Sequence, residues 1–261
     1  MAHTPLPASV TPLPKATRPV PAAVVSIGEL KSRCSNCSMR ELCLPVGLDL
    51  DALHELDHTI VQRVRLRKGE ALYRAGELFK SLYAVKVGSC KITVQTEDGR
   101  EQIIGYHLSG DMLGLDGIDT GRHGAEAVAL EDSEVCILPF ERLEEIARSL
   151  PTLQHNLYQF MSRAIGREQS MMLTLGRLRA EERLAVFLLS LSDRYHRRGY
   201  SSTEFVLRMT REEIGSYLGL KLETVSRLFS RFQQEGLLQV QGRNVKLFDL
   251  AALRQLAGLH C

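Results

Sequence analysis

The sequence lacks the long apolar runs and leader signals that mark membrane and secreted proteins. No apolar run in its 261 residues approaches the roughly 20 residues needed to span a bilayer. The N-terminus has no charged start followed by an apolar stretch and a small-residue cleavage site, so we expect no secretory signal. Six cysteines are too few for a disulfide scaffold in a chain of this length. We therefore expect a cytoplasmic protein with reduced thiols and no membrane partner.

Common catalytic motifs are also scarce. Neither a P-loop nor a G-x-S-x-G sequence occurs, and the eight histidines are scattered along the chain. We therefore expect a binding protein rather than an enzyme.

The distribution of charge points to a polyanionic partner at the C-terminal end. The net charge is only +2, but the chain from Arg177 onward carries 14 basic and 9 acidic residues. The remainder carries 19 basic and 22 acidic residues and is therefore net acidic. A basic C-terminal third suits a ligand that bears phosphate groups.

The N-terminal half divides into a tail, a cysteine-rich segment and a β-rich region. Residues 1–30 hold six of the nine prolines and predict a disordered tail, followed by a cysteine-rich segment over 31–50. From about Leu50 to Leu138 short β-rich runs alternate with glycines, and Asp98-Gly99 is typical of a hairpin turn. This spacing predicts a small barrel or roll over 51–150.

A long helix is predicted after the roll, over residues 151–177. Pro151 suits the first turn of a helix, and apolar residues then recur at helical spacing. One interpretation is that this helix packs only on its own domain. The favoured interpretation is a homodimer seam, for which the candidate residues are Leu157, Met161, Ile165, Glu168 and Met172.

The C-terminal region, residues 178–261, predicts a winged helix-turn-helix. Thr210 and Glu213 have the spacing of a capping box at the start of a helix. Gly219 supplies the left-handed residue that ends this helix, and a second helix follows. The chain then predicts a hairpin that turns near Gly242. The alternative is an ordinary helical hairpin with a solvated charged face.

The second helix carries side chains suited to reading DNA in the major groove. Glu223 can accept a hydrogen bond from cytosine, and Arg227 can donate two to guanine. Ser226 can reach a base or a phosphate. The remaining candidate DNA-binding residues are Lys221, Thr224 and Arg231.

Three cysteines fall within ten residues near the N-terminus, at Cys34, Cys37 and Cys43. A zinc ion held with a fourth ligand would use such a cluster. Redox-active thiols that form disulfides would use it too, and so would an iron–sulfur cluster. The spacing alone leaves all three open.

The order of roll, long helix and winged helix-turn-helix resembles the CRP/FNR superfamily of bacterial transcription regulators, and its FNR-type branch in particular. This resemblance implies an α+β fold with an N-terminal β-roll of the cyclic-nucleotide-binding type, a dimerisation helix and a DNA-binding domain. The stretches that carry it are KSLYA, GYHLSGDMLGLDGI, AEERLA and ETVSRLFSRFQ.

The FNR resemblance implies an oxygen-sensing [4Fe–4S] cluster. Regulators of this type hold the cluster through three N-terminal cysteines and one cysteine near the end of the roll, and oxygen converts it toward [2Fe–2S] and then to the apo-protein. The matching ligands here are Cys34, Cys37, Cys43 and Cys136. Cys90 and Cys261 match no ligand position and are expected to be plain thiols.

The resemblance also implies how the signal would reach DNA. The family carries an acidic residue on the long helix that disfavours the dimer until the cluster is assembled, and the matching position is Glu168. Glu223, Ser226 and Arg227 match the base-reading set, which implies a palindromic double-stranded DNA operator with TTGAT-like half-sites. RNA polymerase is the expected further partner, with the turn at 97–100 as a candidate contact.

Cyclic nucleotide is not expected as a ligand. Relatives that bind it place an Arg-Ser pair on the phosphate, whereas Arg122 here is followed by His123. A bound phosphate would lack its matching set of donors.

Overall fold

The computed structural model describes residues 34–59, 62–95, 99 and 101–258. The predicted tail over 1–30, Asp98 and Cys261 lie outside these residues. Short 3₁₀ turns occur at Cys34–Asn36, Arg40–Leu42 and Leu115–Gly117. The helices are α1 (Leu50–Thr59), α2 (Phe140–Ser149), α3 (Pro151–Arg177), α4 (Ala180–His196), α5 (Arg211–Leu218), α6 (Leu222–Gln234) and α7 (Leu250–Leu256).

The strands confirm the predicted roll. The strands of the roll are β1 (Gln62–Leu66), β2 (Ala71–Tyr73), β3 (Ser81–Val87), β4 (Ser89–Gln95), β5 (Glu101–Leu108), β6 (Met112–Leu113), β7 (Glu126–Ala129) and β8 (Ser133–Pro139). The strands of the C-terminal region are β9 (Glu204–Val206), β10 (Leu238–Gln241) and β11 (Asn244–Leu247). The roll consists of two antiparallel four-stranded sheets, in the orders β1-β8-β3-β6 and β2-β7-β4-β5. The α+β fold class is therefore confirmed.

The first element after the cysteine segment differs from the prediction, because residues from Leu50 form helix α1 rather than a strand. Asp49 caps this helix, and its Oδ1 accepts a hydrogen bond from the amide of Ala52 at 2.8 Å. Leu53 and Leu56 lie one turn apart and are fully buried. A cap and one apolar face in so short a segment are easily missed beside strong β patterns.

The C-terminal region has the predicted winged helix-turn-helix order. Thr210 Oγ1 accepts from the amide of Glu213 at 3.1 Å, and Glu213 Oε2 accepts from the amide of Thr210 at 2.8 Å. Gly219 ends α5 with a φ of 64°. A Cβ atom at Gly215 would lie 2.5 Å from the carbonyl oxygen of Leu220, so the turn requires glycine there. Strands β10 and β11 form the wing and continue onto β9.

A shielded ion-pair cluster joins the roll to the C-terminal region. Asp111 lies in the turn between β5 and β6 and pairs with Arg194 at 2.5 Å and with Arg198 at 2.9 Å, both near the end of α4. Burial by itself would raise the pKa of Asp111, but the two guanidinium groups outweigh it and hold the pKa far below its usual range. The carboxylate therefore stays charged and braces the two regions.

His107 lies beside this cluster and is kept neutral. Burial lowers the pKa of His107 to about 4, and Arg194 and Arg167 act in the same direction against the opposing effect of Asp111. Its Nδ1 atom is buried with no hydrogen-bond partner in the structure. A protonated imidazole here would carry a positive charge that is shielded from water and lies close to Arg194 and Arg167.

We predict that His107 makes the protein less stable in mild acid. The unfolded chain takes up a proton near pH 6.5, whereas the folded chain takes it up only near pH 4. The free energy of unfolding should therefore fall as the pH drops from about 6.5 to 4, by at most about 1.4 kcal/mol per pH unit. Urea unfolding of the His107→Gln variant should show a flatter pH dependence in that window. His155→Gln, at an exposed position on α3, should keep the wild-type slope; equal slopes in both variants would contradict the assignment.

Candidate cluster site and nucleic-acid interface

The four predicted cluster ligands line one cavity. Cys34 and Cys37 lie at the first 3₁₀ turn, Cys43 follows the second, and Cys136 lies in the middle of β8. The cavity has a volume of about 30 Å³, and most of its exposed surface is apolar. Its other lining residues are Met39, Arg40, Leu44, Pro45, Leu56, Ala84, Val85, Lys86 and Leu138. The fourth thiol therefore comes from a strand of the roll, whereas the other three come from the segment that precedes the roll.

Two polar side chains that sequence reasoning missed hold the cysteine segment in place. Asp57 on α1 accepts hydrogen bonds from the amide of Cys34 and, at 2.9 Å, from the hydroxyl of Ser35. Asn156 on α3 donates to the carbonyl oxygens of Leu44 and Val46 at 2.9 and 2.7 Å. The signal available in the sequence was an asparagine among the apolar residues of a helical stripe.

The surroundings of Cys34 and Cys43 disfavour free thiolates. Burial raises the pKa of Cys34, and Cys43, Asp57 and Cys136 raise it further. Burial also raises the pKa of Cys43 to about 12, partly offset by a hydrogen bond from the backbone of Leu44. A bound metal reverses this preference because its positive charge deprotonates a coordinating thiol.

The donor set fits an iron–sulfur cluster. Four cysteine thiols around an apolar cavity are the ligands that a [4Fe–4S] cluster uses, one for each iron. Among the residues that the structure describes, no three or more His, Cys, Asp or Glu side chains are grouped so as to hold a metal ion. Cys90, which matches no ligand position, lies on β4 and is fully buried away from this cavity's lining.

The HExxH sequence, which is the motif of zinc proteases, occurs once in the chain. It spans residues 54–58 on α1, where His54 and Glu55 are exposed and Leu56 is buried in the core. The buried face of this helix packs on the cysteine segment, where Leu53 and Leu56 share a core cluster with Cys34 and Leu44.

Helix α6 presents most of the predicted DNA-reading side chains on one exposed face. Glu223, Ser226 and Arg227 are exposed and lie three or four residues apart, so they share a face. Lys221 is exposed at the N-cap position, and Thr224 is half-buried. The opposite face is buried in the domain core through Val225, Leu228, Phe229 and Phe232.

Arg231 differs from the other members of the predicted DNA-binding set because its guanidinium is already paired. It contacts Glu181 of α4 at 3.0 Å and Glu235 at 2.7 Å. The side chain thus connects α6 to α4 within the subunit.

Helix α3 is covered along its first turns and uncovered farther on. Leu157, a predicted dimer residue, is buried in its own subunit together with Leu153 and Phe160. The other predicted dimer residues, which are Met161, Ile165, Glu168 and Met172, are exposed in the single chain. Packing on its own domain is therefore confirmed for Leu157, and the homodimer seam stays a prediction for the four exposed residues.

Arg122 and His123, the two residues compared with the Arg-Ser pair, both have partners within the roll. His123 is buried and stacks on Tyr73 with ring centroids 3.8 Å apart. Arg122 is exposed, and its guanidinium donates to the carbonyl oxygen of Gly76 at 2.7 Å.

No helix within the described residues has the length and apolarity needed to cross a membrane.

Comparisons with known families match both halves of the chain. Residues 182–256 match the Crp-like helix-turn-helix domain, and residues 63–149 match the cyclic nucleotide-binding domain. Among solved structures, FixK2 from Bradyrhizobium japonicum aligns with a TM-score of 0.68 and 32% identity. That alignment covers 75% of this chain and 96% of FixK2.

Characterised relatives span nearly the whole length. The transcriptional regulatory protein btr of Bordetella pertussis is 48% identical over 87% of this chain and 94% of its own length. The fumarate and nitrate reduction regulatory protein of Escherichia coli K12 is 44% identical over 90% of this chain and 94% of its own length. These relatives are transcription regulators rather than enzymes. With its matching roll, winged helix-turn-helix and near full-length relatives, the chain belongs to the CRP/FNR family of DNA-binding transcription regulators.

Proposed function

We propose that this regulator senses oxygen through a [4Fe–4S] cluster held by Cys34, Cys37, Cys43 and Cys136. In the anaerobic state it would act as a homodimer in the cytoplasm on palindromic operators. The observation that carries this proposal is the convergence of the four thiols on one apolar cavity. When bound, the cluster would supply a centre that oxygen can oxidise and dismantle.

The burial of the thiols favours a metal centre over a thiol switch. A thiol switch needs a reactive thiolate, which a pKa of about 12 at Cys43 disfavours. The resemblance to FNR-type regulators favours an iron–sulfur cluster over zinc, because four cysteine thiols supply one ligand for each iron.

A signal from the cysteines would reach α3 through hydrogen bonds of Asn156. The chain leaves Cys43 into Leu44 and Val46, whose carbonyl oxygens are bound by Asn156 of α3. Rearrangement of the cysteine segment on loss of the cluster would therefore pull on α3. The exposed face around Ile165 and Glu168 continues along that same helix.

On DNA, each subunit would place α6 in the major groove of one half-site. Glu223, Ser226 and Arg227 would contact base edges, with Lys221 and Thr224 beside them. RNA polymerase is the expected further partner, although of the turn at 97–100 the structure describes only Gly99. Cyclic nucleotide remains an unexpected ligand because Arg122 is followed by His123 rather than by a serine.

We predict that anaerobically purified protein contains about four iron and four sulfide per chain, the composition of the cluster. Its visible absorption should change on exposure to air. The Cys136→Ala variant should lose this absorption because one iron loses its ligand. The Cys90→Ala variant is the matched control and should retain iron, sulfide and spectrum. Zinc instead of iron, or equal iron in both variants, would refute the cluster proposal while leaving the family assignment intact.

We predict that Arg227→Ala weakens binding to a TTGAT-type palindrome by roughly 10- to 100-fold, which corresponds to about 1–3 kcal/mol for a lost bidentate contact to guanine. Binding to unrelated duplex DNA should change little. Fluorescence anisotropy at one fixed salt concentration would measure both affinities. Arg142→Ala removes an exposed arginine of α2 and should leave both affinities unchanged; an equal loss on both duplexes would show that Arg227 contacts only phosphate.

We predict that Glu168→Gln tightens the dimer of the cluster-free protein, because two like charges would face each other across the seam. The dissociation constant should fall about two- to fivefold, the range expected for an exposed charge pair. Analytical ultracentrifugation would measure it. Glu144→Gln, an exposed change on α2, should have no effect. Ile165→Glu should instead give a monomer, and a dimer that persists in Ile165→Glu would place the interface elsewhere.

A further inference from the structure

We infer that Arg183 fixes the angle between the dimer helix α3 and the helix-turn-helix, and thereby the spacing of half-sites that the protein reads. The inference rests on the proposed homodimer on palindromic operators. It deepens that proposal by naming a positioning residue on α4 that is outside the predicted DNA-reading set.

The guanidinium of Arg183 connects the end of the dimer helix to the helix-turn-helix. Its Nη2 donates to the carbonyl oxygen of Leu175 in the last turn of α3 at 2.8 Å, and its Nε donates to that of Leu178 at 2.9 Å. Its Nη1 donates to the carbonyl oxygen of Leu218, the last residue of α5, at 3.0 Å. One planar group thus holds three separate points of the backbone.

The three acceptors lie at the C-terminal ends of helices, where a guanidinium is the best-suited partner. The last four carbonyl groups of a helix lack partners within it and carry the negative end of the helix dipole. The side chain of Arg183 supplies both hydrogen bonds and positive charge to the ends of α3 and α5. Because arginine presents its donors in a rigid plane, it fixes the acceptors relative to one another, which a lysine ammonium cannot do.

The joint between α3 and α4 is short and has no regular structure of its own. Only Leu178 and Arg179 separate the two helices, and both have extended backbone. A few residues at the end of an element are sufficient to act as a hinge. The acidic residues at the start of α4 are engaged elsewhere, because Glu181 pairs with Arg231 and Glu182 accepts from the amide of Arg179. The bonds of Arg183 therefore brace this joint.

The turn between α5 and α6 is fitted closely to this brace. A Cβ atom at Gly219 would lie 3.3 Å from Arg183 Nη1 and 3.5 Å from Leu175 Cδ2. Rotation of the helix-turn-helix relative to α3 would break the bond to Leu218 and disturb this contact. The direction in which α6 is presented is thus tied to the direction of α3.

A fixed direction of α6 determines which operators a dimer can read. Adding one base pair between two half-sites moves one of them by about 3.4 Å and turns it by roughly 35° around the DNA axis. A braced joint resists that change, whereas a loose joint accommodates it. Half-site spacing is therefore the property that Arg183 should control.

Binding to operators of different spacing tests the inference. Fluorescence anisotropy with the anaerobic full-length protein would measure the affinity for a TTGAT-type palindrome, for the same palindrome with one added base pair, and for a single half-site. We expect Arg183→Met to bind the palindrome about ten- to thirtyfold more weakly than wild type, because the second contact is less well aligned. Its affinity for the single half-site should be unchanged, and the penalty for the added base pair should shrink.

Two further variants separate positioning from loss of charge or of fold. Arg148→Met removes an exposed arginine of α2 and should match wild type on all three duplexes. Arg183→Lys keeps the charge but loses the planar group, so it should also tolerate the added base pair, and it is the second variant if Arg183→Met does not fold. Equal losses on the palindrome and the single half-site, or an unchanged penalty for the added base pair, would overturn the role of Arg183. Wild-type protein that binds the palindrome no better than the single half-site would overturn the proposed dimer and this inference together.

Discussion

The arrangement of this protein depends on the hydrogen bonds that the buried side chain of Asn156 donates. It is 4% exposed and satisfies the carbonyl oxygens of Leu44 and Val46 from the first turns of α3. Leaving one of these buried polar groups unpaired would cost about 1–3 kcal/mol of folding free energy. The hydrogen bonds therefore hold the loop against the helix. The cysteine segment is thereby attached to the element that also carries the uncovered apolar face.

A second attachment runs from the same segment toward the DNA-binding region. A Cβ atom at Gly110 would lie 2.9 Å from the Cβ of Leu42, so the cysteine segment packs closely on the turn between β5 and β6. The next residue, Asp111, pairs with Arg194 of α4 and with Arg198, which follows the end of that helix. The carboxylate is shielded and bound on two sides, which makes this turn a rigid support rather than a surface loop.

Burial controls the chemistry of Cys34 and Cys43. Desolvation raises the pKa of both thiols and therefore disfavours free thiolates. A bound metal centre would reverse this preference, because its positive charge deprotonates a coordinating thiol.

Local patterns determined much of this protein from the sequence alone. The capping box at Thr210, the left-handed Gly219 and the prolines that open helices act within a few residues, so their geometry needs no distant partner. The spacing of Cys34, Cys37 and Cys43 left zinc, redox-active thiols and an iron–sulfur cluster open, and only the family resemblance implied a ligand set. The apolar stripe of α3 predicted a buried face but not where burial ends.

Only the tertiary structure decided what depends on distant parts of the chain. The register of β1 against β8 brings Arg63 beside Cys136, and the pairing of Arg231 with Glu181 depends on how α6 packs on α4. Leu157 is buried and Ile165 exposed on one helix because the roll covers only the first turns. Such contacts follow from packing between elements far apart in sequence, and periodicity within one element carries no information about them.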